Sequence, residues 1–159
     1  MTATMKRSLA FSQELLTNAL LDEAMPLLQA HWREIAHYQD IPLRPNREVY
    51  LAAEAAGTVR TYCARTPEGR LVGYAVFFLA YNPHYMDSYQ AAQDIIYLDP
   101  ACRGRGLQFL NWCDRQLQSE GVQVVRHHIK AAHNFGPALE RLGYTLEDLI
   151  YSRRLDTGG

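Results

Sequence analysis

Residues 94–110 read D-I-I-Y-L-D-P-A-C-R-G-R-G-L-Q-F-L, and no other stretch limits the possible folds as much. The β-rich run Ile95, Ile96, Tyr97, Leu98 is ended by Pro100, Arg103-Gly104-Arg105-Gly106 follows, and an amphipathic run starts at Leu107. A strand that stops at glycines and opens into a helix leaves the first helical N–H groups without intrahelical partners, where the helix dipole adds partial positive charge. Glycines let a ligand come close to the backbone. The segment therefore predicts an anion cradle suited to a pyrophosphate, with Arg103 and Arg105 as charge-assisted donors. The alternative is a surface turn with two solvated arginines. Two other phosphate loops do not fit. No Lys follows Gly106, as a Walker loop requires, and Phe109 stands where a dinucleotide fingerprint needs Gly.

The pattern around this segment alternates between helix and strand. Residues 12–38 have a helical spacing of Leu16, Leu20, Leu27, Leu28, Trp32 and Ile35, interrupted by Pro26, which implies one kinked helix or two. A proline-punctuated loop at 39–47 leads to a short Ala-rich helix at 48–56 that Gly57 ends. T-V-R-T-Y-C-A-R and L-V-G-Y-A-V-F-F-L-A-Y flank the turn Thr66-Pro67-Glu68-Gly69 and predict a hairpin. Residues 82–89 read as a polar, aromatic loop entering the strand at 91–98. The helix from Gly104 to about Glu120 carries Leu107, Leu110, Cys113 and Leu117 on one stripe and closes at Gly121. A strand at 122–129 after that helix implies a right-handed crossover, hence a parallel neighbour for 91–98. A short helix at about 134–142 and a last strand from Gly143 complete the sheet.

Length and charge narrow the function classes. The 159 residues are read as one domain, 1–159, and the formal charge of −1 gives no global field for nucleic acid or an anionic membrane. No apolar run approaches the ~18 residues of a membrane span. The basic pair near the N-terminus lacks the apolar region of a signal peptide. Cys63, Cys102 and Cys113 are odd in number and lack C-x-x-C spacing, which suits a reducing cytoplasm rather than a disulfide or zinc framework. His31 and His37 lie off a common helix face, and His127 and His128 point to opposite faces of a strand, so no metal site is expected.

Segment 94–110 resembles the acetyl-CoA-binding motif of the GNAT N-acetyltransferases, written Arg/Gln-x-x-Gly-x-Gly/Ala. Arg103 and Gly106 match its first and fourth positions, and Gln108 stands where the family usually has Gly or Ala. The element order is similar over nearly the whole chain. Asn134 followed by L-E-R-L-G-Y at 139–144 resembles the family's ending, N…L-Y-x-x-x-G-F. The run H-Y…A-x-Q-D-I-I-Y-L-D-P is also similar to GNAT proteins common in bacteriophages and prophages.

The resemblance implies an α/β (α+β) GNAT fold, with a mixed sheet in which parallel strands 91–98 and 122–129 splay apart between flanking helices. It implies acetyl-CoA as cofactor and an amine acceptor, small molecule or peptide, with direct attack on the thioester. The pantetheine arm would pair with the backbone of Ile96, Tyr97 and Leu98. The diphosphate would sit on Arg103, Gly104, Arg105, Gly106, Leu107 and Gln108. Asn134 would contact the arm or serve as the N-cap of the short helix.

For the base, Asp94 is the first candidate, or else a strand-end carboxylate that caps an N–H or pairs with an Arg. His84 is the second and Asp87 a third. The family's usual acidic Tyr falls at Leu139, leaving Tyr97, Tyr144 or Tyr151, or unassisted release of a thiolate. The acceptor would lie between the N-terminal helices and the loop at 82–90, near His31, Trp32, Tyr38, His84 and Tyr85. A homodimer is left open. The alternatives in other classes are an acyl-CoA-binding regulatory module without turnover and a nucleotide-phosphate binder.

Overall fold

The computed structural model describes residues 8–157. Ala10–Glu14 (β1) pairs antiparallel with the later strand Val59–Arg65 (β2), so the helical reading that began at residue 12 starts too early. Five residues are too short for alternation to announce a strand, but Phe11 reaches the core and its ring lies 5.1 Å from Phe109. Asn18–Ile35 (α1) follows, with the Thr17 hydroxyl accepting from the Leu20 N–H at 3.1 Å. Pro26 does not split it. The proline is exposed, as is Asp22, whose carbonyl loses its partner, so that carbonyl can turn to water. Arg47–Ala56 (α2) ends on Gly57 at φ 72°, the left-handed C-cap anticipated there.

β2 and Leu71–Asn82 (β3) form the expected hairpin. The anticipated loop at 82–89 is instead a second hairpin. Tyr85–Leu98 (β4) pairs with β3 from Asn82↔Tyr85 to Gly73↔Leu98, and only Pro83 and His84 turn the chain. The run Tyr85-Met86-Asp87-Ser88-Tyr89 is polar enough to resemble a loop, but the β3 edge beside it supplies the missing ladder. A 3-10 helix at Pro100–Arg105 leads into Gly106–Ser119 (α3). Val124–Arg126 (β5) then pairs parallel with β4, as the crossover argument requires, though over three residues only. A turn of 3-10 helix at Ala131–His133 and the short helix Gly136–Arg141 (α4) follow.

The sheet is ordered β1-β2-β3-β4-β5. α3 covers one face, burying Phe109, Leu110, Cys113 and Leu117 against Tyr62, Val72 and Phe77. Phe109, absent from the expected stripe, is 1 % exposed, whereas Leu107 is only half-buried. Each such side chain contributes about 1.5–3 kcal/mol by leaving water. α1 covers the opposite face through Leu20, Leu21 and Ala24, with Leu16 just before it, and α2 adds the partly buried Tyr50, Leu51 and Ala53.

The segment after Gly143 does not join the sheet. Its alternation is strand-like, but a strand needs a free edge, and side-chain bonds lead this one elsewhere. Ser152 Oγ lies 3.0 Å from the Tyr38 hydroxyl, and Arg154 pairs with Asp40 at 3.0 Å. Leu146, Ile150 and Tyr151 are exposed. No helix among the described residues is long and apolar enough to cross a membrane.

Candidate active site

The site is built where β4 leaves β5. The parallel ladder holds Gln90↔Val124, Ala91↔Val125 and Ala92↔Arg126, and then stops. From Gln93 to Leu98, β4 keeps β3 on one side and has no backbone partner on the other among the described residues. Side chains take over at the fork: His127 Nδ1 lies 2.7 Å from Gln93 Oε1, and Gln93 Nε2 donates to the His128 carbonyl at 3.5 Å. His127 is therefore structural. Burial, with a smaller push from His128, holds its imidazolium form down to about 4.

A β-bulge sits beside this fork. Val76 faces Ile95 and Phe77 faces Gln93, so Asp94 is the extra residue of β4. Bulges re-aim side chains. Gln93 is turned into the interior, while the exposed carboxylate of Asp94 accepts a 2.6 Å hydrogen bond from the Tyr50 hydroxyl of α2. Tyr50 stacks on Phe78, and its ionisation is pushed up by burial first and by Asp94 second, so it remains a donor. No sequence signal paired these two residues, which lie 44 positions apart.

Tyr50 and Ile95 form part of the wall of a cavity of about 480 Å³ between α1, the loop 37–45, α2 and the sheet. Trp32 and Tyr38 line it as anticipated, and His37, Arg44, Tyr74 and Lys130 line it without having been anticipated. His31 does not. It is buried beneath the cavity, with Nδ1 3.2 Å from the Tyr74 hydroxyl and its ring 5.0 Å from Tyr97. Desolvation lowers its imidazolium pKa to about 4 despite the opposing charge of Glu34.

His84 and Tyr85 form the exposed tip of the β3–β4 hairpin, and Asp87 follows. Asp94 lies nine residues up β4 from Tyr85, roughly 30 Å at the rise of a strand. His84, Tyr85 and Asp87 are therefore not brought to the cavity, which is bounded by the loop 37–45 rather than by 82–90.

The hydroxyl candidates are also displaced. The Tyr97 side chain is 6 % exposed, under the Arg103 guanidinium and against His31 and Tyr74. Tyr144 donates at 2.6 Å to Asp114 of α3, and its ionisation is pushed up by burial and then by that carboxylate. Tyr151 is 89 % exposed on the tail. Asn134 Oδ1 accepts from the Gly136 N–H at 2.8 Å across a local turn, and the N-cap of α4 is Phe135, so Asn134 is not the helix cap anticipated as its alternative role.

The anion loop differs most from its sequence reading. Residues 100–105 coil into a 3-10 helix started by Asp99, whose carboxylate accepts from the Ala101 N–H at 3.0 Å. The i→i+3 bonds of the coil, from the Cys102 N–H to the Asp99 carbonyl at 2.7 Å through the Gly106 N–H to the Arg103 carbonyl, engage the part of the expected cradle before Leu107. Arg103 is turned inward. Its guanidinium pairs with Glu34 of α1 at 2.6 Å and donates to the Leu98 carbonyl at 3.0 Å, which also occupies that backbone acceptor. Arg105 donates to Gln108 at 2.6 Å. Gly104 and Gly106 do not adopt positive φ, so what they contribute is space: a Cβ on either would meet no atom within 4 Å.

A cofactor with a pantetheine arm and a diphosphate fits this frame in two respects. The edge of β4 at Ile96 and Tyr97 is free to pair with an amide-bearing arm, and open space adjoins the glycines before Leu107 and Gln108.

No family model and no curated protein matches the sequence. Solved structures do resemble it. A ribosomal-protein-alanine N-acetyltransferase from Brucella melitensis biovar Abortus superposes with a TM-score of 0.68 at 17 % identity, covering 93 % of this chain and 99 % of that one. A GCN5-related N-acetyltransferase from Ralstonia eutropha gives 0.69 at 16 % identity, with 92 % and 99 % covered. A predicted acetyltransferase with acetyl-CoA from Clostridium acetobutylicum gives 0.66 at 12 % identity, with 93 % and 97 % covered. These matches lend nothing to the resemblance to phage proteins. The architecture, a five-stranded mixed sheet that forks between β4 and β5 and is flanked by helices, is the GNAT fold.

Proposed function

We propose that the protein is an acetyl-CoA-dependent N-acetyltransferase acting on a primary amine. The observation that carries the reading is the unpaired edge of β4 beyond Ala92, which runs alongside a cavity bordered by the Tyr50–Asp94 pair. When bound, the cofactor supplies an acetyl thioester and a thiolate leaving group. The backbone groups of Ile96 and Tyr97 hold the arm by strand addition and keep the reacting carbonyl near the fork. Diphosphate binding to the amides of Arg103, Gly104 and Arg105 requires the coil at 100–105 to loosen, and a contact from the Arg103 guanidinium requires it to leave Glu34.

An alkyl ammonium with a pKa near ~10.4 must lose a proton before its nitrogen can attack. The exposed carboxylate of Asp94 takes that proton, directly or through one water, and the Tyr50 O–H fixes its orientation. The nitrogen would form its bond to carbon as the carbon–sulfur bond breaks, and the extra proton on the acylated nitrogen would pass to water or to the departing thiolate. None of Tyr97, Tyr144 and Tyr151 offers its hydroxyl to the leaving sulfur, and a thiol of pKa ~8.5 departs unaided.

The test is thiol release from acetyl-CoA with a panel of amines. Asp94→Asn should lower kcat by about 10²–10⁴-fold while leaving coenzyme A affinity within about twofold. An unchanged kcat would remove Asp94 from the mechanism. Leu139 at the family's usual Tyr position, with the Tyr144 hydroxyl bonded to Asp114, favours one second reading, an acyl-CoA-binding module without turnover. Coenzyme A binding by calorimetry with no thiol release on any amine would select it. Thermal stabilisation by ATP but not by coenzyme A would overturn both.

A further inference from the structure

The walls of the cavity on the α1 side narrow the acceptor class. Leu28, Trp32, Ile41, Leu43, Tyr50 and Ile95 supply a largely apolar and aromatic surface around about 480 Å³, room for a small molecule rather than a folded chain. No Asp or Glu lines it, whereas Arg44 and Lys130 do. Neither cation makes an ion pair among the described residues, so their charge is not neutralised locally. Of the carboxylates bonded to wall residues, Glu54 is engaged by the Leu16 N–H at 2.6 Å and Glu14 by Arg65, whereas Asp94, bonded to Tyr50, is exposed and open to an ammonium group. A second cation on the acceptor would be buried among apolar side chains beside two like charges, and both effects oppose binding.

From this arrangement we propose that the acceptor is a primary amine on an apolar body, with Arg44 and Lys130 excluding polycations and tolerating an anionic substituent. The inference rests on the acetyl-transfer reading and names its substrate class. The ammonium end lies at Asp94, and the body extends between α1 and the sheet toward Trp32 and Leu43.

Three probes of equal chain length separate the terms: hexylamine, aminocaproate and hexamethylenediamine. Thiol release should rank them in that order by kcat/KM. Hexylamine should exceed the diamine by at least about thirtyfold, and along propyl-, butyl- and hexylamine each added methylene should contribute about fourfold. A paired Arg44→Gln, Lys130→Gln variant should bring aminocaproate and the diamine to within about twofold of each other, with hexylamine still preferred.

Calorimetric titration of the same amines, with and without coenzyme A, keeps the two readings apart. If hexylamine binds in the stated order and no thiol is released, acetyl transfer fails and the cavity assignment stands. If thiol is released and the diamine equals or exceeds hexylamine, or the alkyl series is flat, the acceptor class is wrong and acetyl transfer stands. If hexylamine neither binds nor reacts, the acceptor class is overturned outright.

Discussion

The two faces of the sheet are made from the same strands but packed to different ends. On the α3 face, Phe77, Phe109, Cys113 and Leu117 are at most 1 % exposed, and Phe11 closes over Phe109. On the α1 face, Leu28 and Trp32 are only half-buried, and a cavity of about 480 Å³ separates helix from sheet. Interiors normally pack like organic crystals, and a void lined by apolar atoms costs stability. The dense face holds the fold together, while the hollow face gives up packing to leave room beside Asp94.

The largest effect should come from cutting into the dense face. Phe109→Ala should cost about 3–5 kcal/mol in chemical denaturation, because a closed cavity replaces the ring. Trp32→Ala, on the hollow side, should cost no more than about 1 kcal/mol and instead raise KM for apolar amines. Equal losses from the two would erase the distinction between the faces.

Acid should act on both faces through one buried histidine each. His31 under the hollow face and His127 at the fork both have imidazolium pKa values lowered from 6.5 to about 4, chiefly by burial. The unfolded chain therefore binds protons that the folded one refuses. Stability is full above pH 6.5 and falls as pH drops through that value toward 4, by on the order of 2 kcal/mol per histidine. Thermal melts across this window check the sign, and His31→Phe should flatten the curve in proportion to its share.

The smallest effect concerns the clamp between the hollow face and the anion loop. The Arg103–Glu34 pair is about one-third exposed, so Glu34→Gln should cost less than about 1 kcal/mol of stability. By releasing Arg103 toward a diphosphate, the same change should tighten coenzyme A binding a few-fold in calorimetry. Weaker binding would mean that Arg103 serves α1 and not the cofactor.

Much of the fold was legible locally. The β2–β3 hairpin, α2 with Gly57 at its end, α3 ending at Gly121 and the parallel return to β5 follow from period, turn residues and crossover handedness. Less of the site was. Trp32 and Tyr38 reach the cavity as anticipated, but His84 and Tyr85 were misplaced because the segment 82–89 reads as a loop until β3 is beside it. Asn134 Oδ1 is bonded to the Gly136 N–H and the Tyr144 hydroxyl to Asp114, partners that no local pattern announces.

What the sequence determined by itself is the succession of elements, since helix and strand periods, caps and glycine turns act within a few residues. Tertiary structure alone decided the Tyr50–Asp94 bond across 44 positions, the Arg103–Glu34 clamp across 69, and the addition of β1 to the sheet. Such partners are chosen by which faces are brought together and by the cost of leaving a buried polar group unpaired, and neither exists until the chain has closed on itself.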